Sequence, residues 1–229
     1  MAFTPSLARV PLKPHPAPDR TRSLSETPPP RDGWELALTG DLTEKQADLL
    51  ESLLEIPSGG RGTLFFDSPG GSAYVGISLA SLILLRGLKA TGVVLGECSS
   101  AALLPFAACC ERYVLPCSTL YFHPVRWSSE EDIQLEQAAE WTRHFGVMED
   151  EMDILLSKLL QRPFEEVRGW TRPGRFFSGT EIAQMGLARL LELPGPDLAT
   201  QLRTARQAAT PGCEVAAPTQ PAATLIAHQ

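Results

Sequence analysis

The chain has 229 residues, 43% hydrophobic and 21% charged, with a formal net charge of −7. An acidic balance without a basic run argues against a nucleic-acid surface. The longest apolar stretch, near Ile77–Leu85, is broken by Arg86 and Lys89 and is too short to span a bilayer.

The opening residues, MAFTPSLARVPLKP, lack the apolar segment of a secretory signal. The five cysteines, Cys98, Cys109, Cys110, Cys117 and Cys213, form no C-x-x-C pair and sit mostly in apolar surroundings. They read as reduced, buried thiols of a cytoplasmic protein, with a catalytic Cys98 as the sharper alternative. Residues 1–32 repeat proline and carry few large apolar side chains, and residues 194–229 are rich in Pro, Ala, Thr and Gln. Such segments bury too little apolar area to offset the entropy of ordering, so both are expected to be disordered tails. Residues 33–193 remain as one domain with its own core.

Within that domain WELALTGDL alternates like a strand and turns at Gly40-Asp41. TEKQADLLESLLEI follows at helical spacing, with Thr43 as cap and Leu49, Leu50, Leu53 and Leu54 as its apolar stripe. After the loop PSGGRG, TLFFD is a short apolar strand, and GSAYVGISLASLILLRGLK reads as a helix apolar nearly all round, hence buried. ATGVVLGECS is another buried strand, SAALLPFAACC a small apolar helix, and RYVLPCSTLYFHP holds two β-rich pieces. The longest helix is expected to start at Ser128 or Ser129 and run to about residue 161, with acidic residues in its first turn. PFEEVRGWT is a short helix, GRFFSG a turn or strand, and GTEIAQMG a last helix closed by Gly186. Strands alternating with helices predict an α/β layered fold with parallel pairing.

Three stretches leave strands in a way that suits chemistry: Ser68-Pro69-Gly70-Gly71, GECSSAA from Gly96 to Ala102, and LYFHP with His123. Crevices outside strand ends are where α/β proteins place ligands. Acyl transfer needs an exposed hydroxyl at a tight bend among small neighbours, which Ser99 and Ser100 offer. It needs an imidazole, and His123 is the one histidine in the strand regions, His15, His144 and His228 reading as solvated. It also needs backbone N–H donors for an oxyanion, which Gly70 and Gly71 would present with no side chain in the way. Taken singly, each stretch is also a plain turn, a helix cap or a core histidine. No metal-ligand spacing and no phosphate-binding loop is visible, so neither metal nor cofactor is expected.

At these residues the chain resembles the proteolytic subunit of the Clp protease, ClpP, within the ClpP/crotonase superfamily. LTGDL resembles the family's L-x-G-x-[IV], and LFFDSPGGSAYVG its [IL]-Y-I-N-S-P-G-G-x-x-x-x-G. GECSSAALLPFAACCERYVLPCSTLYFHP resembles G-x-A-A-S-M-G-x-x-L-L-x-A-G…K-R-x-x-L-P-x-x-x-x-M-I-H-Q-P, and RFFSGTEIAQMGLARLL resembles R-x-F-x-S-A-x-E-A-x-x-Y-G-L-I-D. The resemblance implies a spiral of mostly parallel strands with outer helices and a projecting handle helix. It places the nucleophile on Ser100 and the general base on His123. It places the oxyanion donors on the Gly70 and Ala101 N–H groups, with Gly71 beside them. It also implies a peptide or unfolded-protein substrate, a homo- or hetero-oligomeric ring, and an ATPase partner that would use any ATP.

The chain departs from the family in places that bear on this. The family's triad Asp corresponds to Gly174, and the Met and Gly after the nucleophile are Ala101 and Ala102. Glu165, Glu166 and Glu181 are the carboxylates near enough in sequence to substitute. The family's N-terminal pore segment is replaced by a proline-rich stretch, and the Gly-rich strand after the base is shortened to VRWSS. ATPase docking and ring stacking therefore stay open. Three readings remain: a ClpP-like serine peptidase, a weak or inactive ClpP-like subunit of a mixed ring, and a crotonase-type acyl-CoA enzyme.

Overall fold

The structure is a computed structural model that describes residues 33–43, 47–127 and 132–208. The N-terminal tail, Cys213 and the helix start proposed at Ser128 or Ser129 lie outside the described residues.

Strands β1 (Trp34–Thr39), β2 (Arg61–Ser68), β3 (Lys89–Ser99), β4 (Glu111–Val114) and β7 (Arg189–Leu190) lie side by side in that order, all parallel. β3 is buried on both faces from Ala90 to Val94, as a central parallel strand must be. It is also shared. Thr91–Val94 pair with β4, whereas Glu97–Ser99 pair with β5 (Thr119–Phe122). β6 (Arg175–Ser178) runs antiparallel to β5 and pairs Tyr121 with Phe176. The sheet thus branches along β3, and the C-terminal ends of β2, β3 and β5 meet at one place.

Among the described residues seven α-helices accompany the sheet: α1 (Ala47–Glu55), α2 (Ala73–Leu85), α3 (Leu103–Ala108), α4 (Leu135–Leu160), α5 (Phe164–Thr171), α6 (Gly179–Gln184) and α7 (Leu198–Ala208). Leu49 and Leu53, continued by Ile56, are the buried part of the α1 stripe and Leu50 packs partly buried against the same core, while Leu54 faces solvent, so three of the four expected leucines face inward. α2 buries Gly76, Leu79, Ala80 and Ile83 at spacings of three and four. Leu84 and Leu85 are exposed, so this helix is not buried all round; its composition concealed a single packed face. α4 begins at Leu135, after the non-helical residues 132–134, and ends where Gln161 takes a left-handed φ of 54°.

The C-terminal boundary also differs from expectation. Residues 198–208 form α7, inside the stretch read as a disordered tail. Asp197 caps it through the Thr200 N–H at 3.0 Å, and Leu202 is buried beside Val93, Tyr113 and Leu191. Arg206 bonds both oxygens of Glu111 and the Thr91 hydroxyl. An Ala, Thr and Gln-rich segment with one buried leucine gives little periodicity, and the polar ties that hold it are long-range.

Candidate active site

β3 ends at Ser99 and turns at once into a single 3-10 turn, Ser100–Ala102, which leads into the wholly buried α3. Ser100 has φ 56°, a left-handed conformation rare for a residue with a side chain and characteristic of strained functional turns. It separates the two neighbouring serines. Ser99 is buried and donates from Oγ to Glu97 Oε1 at 2.6 Å. Ser100 is half-buried and lines a cleft of about 490 Å³.

The Ser-Pro-Gly-Gly loop lies against this turn. A Cβ on Gly70, whose φ is 95°, would stand 2.6 Å from both Ser100 Cβ and the Ser99 carbonyl oxygen. A Cβ on Gly71, whose φ is 140°, would collide with the backbone of Leu42. The two glycines thus let backbone approach backbone, a requirement that precedes any substrate. Leu42 N–H donates to Gly70 O and Ser72 N–H to Leu42 O, each at 2.7 Å, which fixes the loop. Ser68, fully buried, completes it by donating to Gly40 O at 2.6 Å and accepting the Gly70 N–H at 3.1 Å. The Gly70 N–H expected to receive an oxyanion therefore already has an acceptor. The Gly71 N–H donates to no described residue. Ser68 stands in the expected stretch, but its bracing role was not expected; the signal for it was the hydroxyl at the end of an apolar strand, where a valine would suit propensity.

His123 follows β5 and is half-buried. Its Nδ1 lies 2.6 Å from the Pro124 carbonyl oxygen, and its ring stacks on Tyr121 with centroids 4.8 Å apart. Ser100, Ala101, His123, Gly70 and Gly71 all line the one cleft. No hydrogen bond joins Ser100 to His123 in this structure; pairs of this kind often tighten only with substrate bound. A Cβ on Gly174 would lie 3.4 Å from His123 Cβ, so the bare position does adjoin the imidazole. Among the described residues no carboxylate bonds the ring. Glu181 closes a capping box with Ser178 instead, and Glu165 is exposed on α5.

The opposite wall of the cleft comes from α4, through Phe145, Met148, Met152 and Leu156. Two carboxylates of the same helix also line it, at a helical spacing that sequence alone reads as a solvated face. Glu149 accepts the Val125 N–H at 2.8 Å and pairs with Arg172 at 2.6 Å, tying the segment after His123 to α4. Asp153 is buried and accepts the Thr171 hydroxyl at 3.2 Å, with Arg172 4.0 Å away. Burial pushes its carboxyl above the usual range, against the opposing pull of Thr171 and Arg172.

The cysteines divide differently from expectation. Cys98 and Cys109 are buried, but Cys110 and Cys117 are exposed. Burial raises the Cys98 thiol well above its ordinary value, and its Sγ donates to Ala102 O. A thiol so placed is no nucleophile near neutrality. Among the described residues no group of three or more His, Cys, Asp or Glu is placed to hold a metal ion, and no helix is long and apolar enough to cross a membrane.

A Clp protease family model matches residues 37–191. No curated protein matches the chain. The chain belongs to the Clp protease family, and its branched, mostly parallel sheet with outer helices is a ClpP/crotonase-like fold.

Proposed function

We propose that the chain is a ClpP-like serine peptidase that cleaves peptide bonds through an acyl-enzyme. Ser100 supports this reading most strongly: a serine on a strained left-handed turn, in one cleft with His123 and the double glycine. Ser100 Oγ attacks the scissile carbonyl carbon as His123 Nε2 takes its proton. The carbonyl oxygen becomes an oxyanion facing the Ala101 N–H, at a helix start where such groups lack acceptors, and the Gly70-Gly71 loop. Gly71 is the uncommitted donor of that loop. The C–N bond then breaks, the imidazolium protonates the leaving amine, and an ester to Ser100 remains. Water, deprotonated by His123, hydrolyses the ester and restores the hydroxyl.

The substrate is a peptide or unfolded protein, and the working form is an oligomeric ring in the cytoplasm, with no cofactor of its own. The second reading is a weak or inactive subunit of a mixed ring. Gly174 favours it, because removing the carboxylate behind a catalytic imidazole costs about 10⁴ in rate in enzymes built around one. Turnover of a fluorogenic peptide series separates the two. The peptidase reading expects hydrolysis that falls at least about a hundredfold in Ser100→Ala and His123→Ala and persists in Ser99→Ala. Assembled protein without Ser100-dependent hydrolysis of any peptide or casein would support the second reading.

A further inference from the structure

We propose that Tyr121 is a positioning residue. Its ring, backed by Phe176, and the Pro124 carbonyl together hold the His123 imidazole in the tautomer that presents a bare Nε2 to the cleft. This inference rests on the peptidase reading for its catalytic meaning, though not for its geometry.

A neutral imidazole carries its proton on either nitrogen, and the hydrogen bond made by one nitrogen decides the role of the other. A carbonyl oxygen only accepts. The contact of 2.6 Å between Nδ1 and Pro124 O therefore requires the proton on Nδ1. Nε2 is left with a lone pair, the state a general base needs before Ser100 is deprotonated. One such bond shifts the tautomer ratio by roughly three- to tenfold. On its own it does not fix the plane of the ring.

Tyr121 supplies that constraint. It lies two residues before His123 and packs on it at 4.8 Å with 30° between the planes. Phe176, its partner across the β5–β6 pair, stacks on the same tyrosine ring at 3.8 Å and 8°. The result is a three-ring cluster spanning two strands, with Tyr121 in contact with both other rings. The same tyrosine occupies the space beside Gly174: a Cβ there would lie 3.0 Å from Tyr121 Oη. Arg126 Nη2 lies 3.4 Å from that oxygen and donates to it. The bare Gly174 is thus the counterpart of a neighbour's hydroxyl, and the orienting role passes from a charged side chain to a stacked ring and a main-chain acceptor.

The test is imidazole ¹⁵N–¹H NMR of the full chain, with the His123 signal assigned by its loss in His123→Gln, beside peptide turnover. In the wild type the Nδ1–H form of His123 should dominate over Nε2–H. Tyr121→Leu should bring the two forms toward equal population and lower kcat about tenfold or more with KM little changed. Tyr121→Phe, which keeps the ring, should restore both. A dominant Nε2–H form in the wild type overturns the proposal. So does a Tyr121→Leu protein with an unchanged tautomer ratio. If no variant hydrolyses peptide while the tautomer arm behaves as stated, the peptidase reading fails and the positioning inference stands. If turnover is present and indifferent to Tyr121→Leu, the inference fails and the peptidase reading stands.

Discussion

The residues proposed to carry chemistry are held by contacts with little slack. Gly70 shows this most clearly, because the space its Cβ would need belongs to Ser100. Gly70→Ala is expected to cost about 1–3 kcal/mol in unfolding free energy by urea titration and to displace Ser100, lowering turnover about a hundredfold. Gly174→Asp is expected not to raise turnover above wild type. A φ of 122° strains any side chain there, and the Tyr121 hydroxyl stands in its way. A large rate gain on that substitution would show that the imidazole lacks an orienting partner in the native chain. The cysteines give a simpler check. Iodoacetamide should modify Cys110 and Cys117 in the folded protein, with Cys98 and Cys109 reacting only after denaturation, as peptide mapping would read directly.

At the scale of elements, two long-range ties can be tested separately. α7 meets the sheet through Leu202 and Arg206, remote from the cleft. Leu202→Ala is expected to lose about 2 kcal/mol, the low end for a buried leucine because the site is peripheral, with peptide hydrolysis at permissive temperature unchanged. The other tie joins α4 to the end of α5 through Asp153. Burial raises this carboxyl, so its contribution to stability is complete below the unfolded carboxylate range and falls as pH rises through the folded value. Asp153→Asn abolishes that dependence. The variant should therefore gain in Tm on the wild type as the pH of a calorimetric series rises from about 4 to 7. Parallel curves would mean that Arg172 and Thr171 fully offset the burial.

At the scale of the whole molecule, the fold was legible wherever the signal is local. Apolar strands ending in Gly or Ser, and helices with a periodic stripe, placed β1 to β6 and α1 to α6 close to where they stand, except that α4 begins at Leu135 and not near Ser128 or Ser129. The branch along β3 was not legible, since nothing in Val93–Ser99 says that one strand serves two partners. α7 was missed because only Leu202 is fully buried in it and the rest of its hold comes from partly buried Leu198 and Ala205 and from polar ties to distant residues. In the candidate site, Ser100 and His123 stand out through type and context. Ser68, Tyr121, Glu149 and Asp153 do not, because each acts through a neighbour that folding brings in. Assembly belongs to this scale too. Leu85 and Leu135 are 87% and 81% exposed, and apolar side chains so placed suit a surface covered by further subunits. Light scattering is expected to give a mass several times the 24.9 kDa of the chain, falling in Leu135→Asp.

The most direct test of the central claim, that Ser100 is an activated nucleophile, is intact-mass analysis after fluorophosphonate treatment. One adduct is expected, lost in Ser100→Ala and in His123→Ala and kept in Ser99→Ala. No adduct on folded, assembled protein, or an adduct that survives Ser100→Ala, would contradict it.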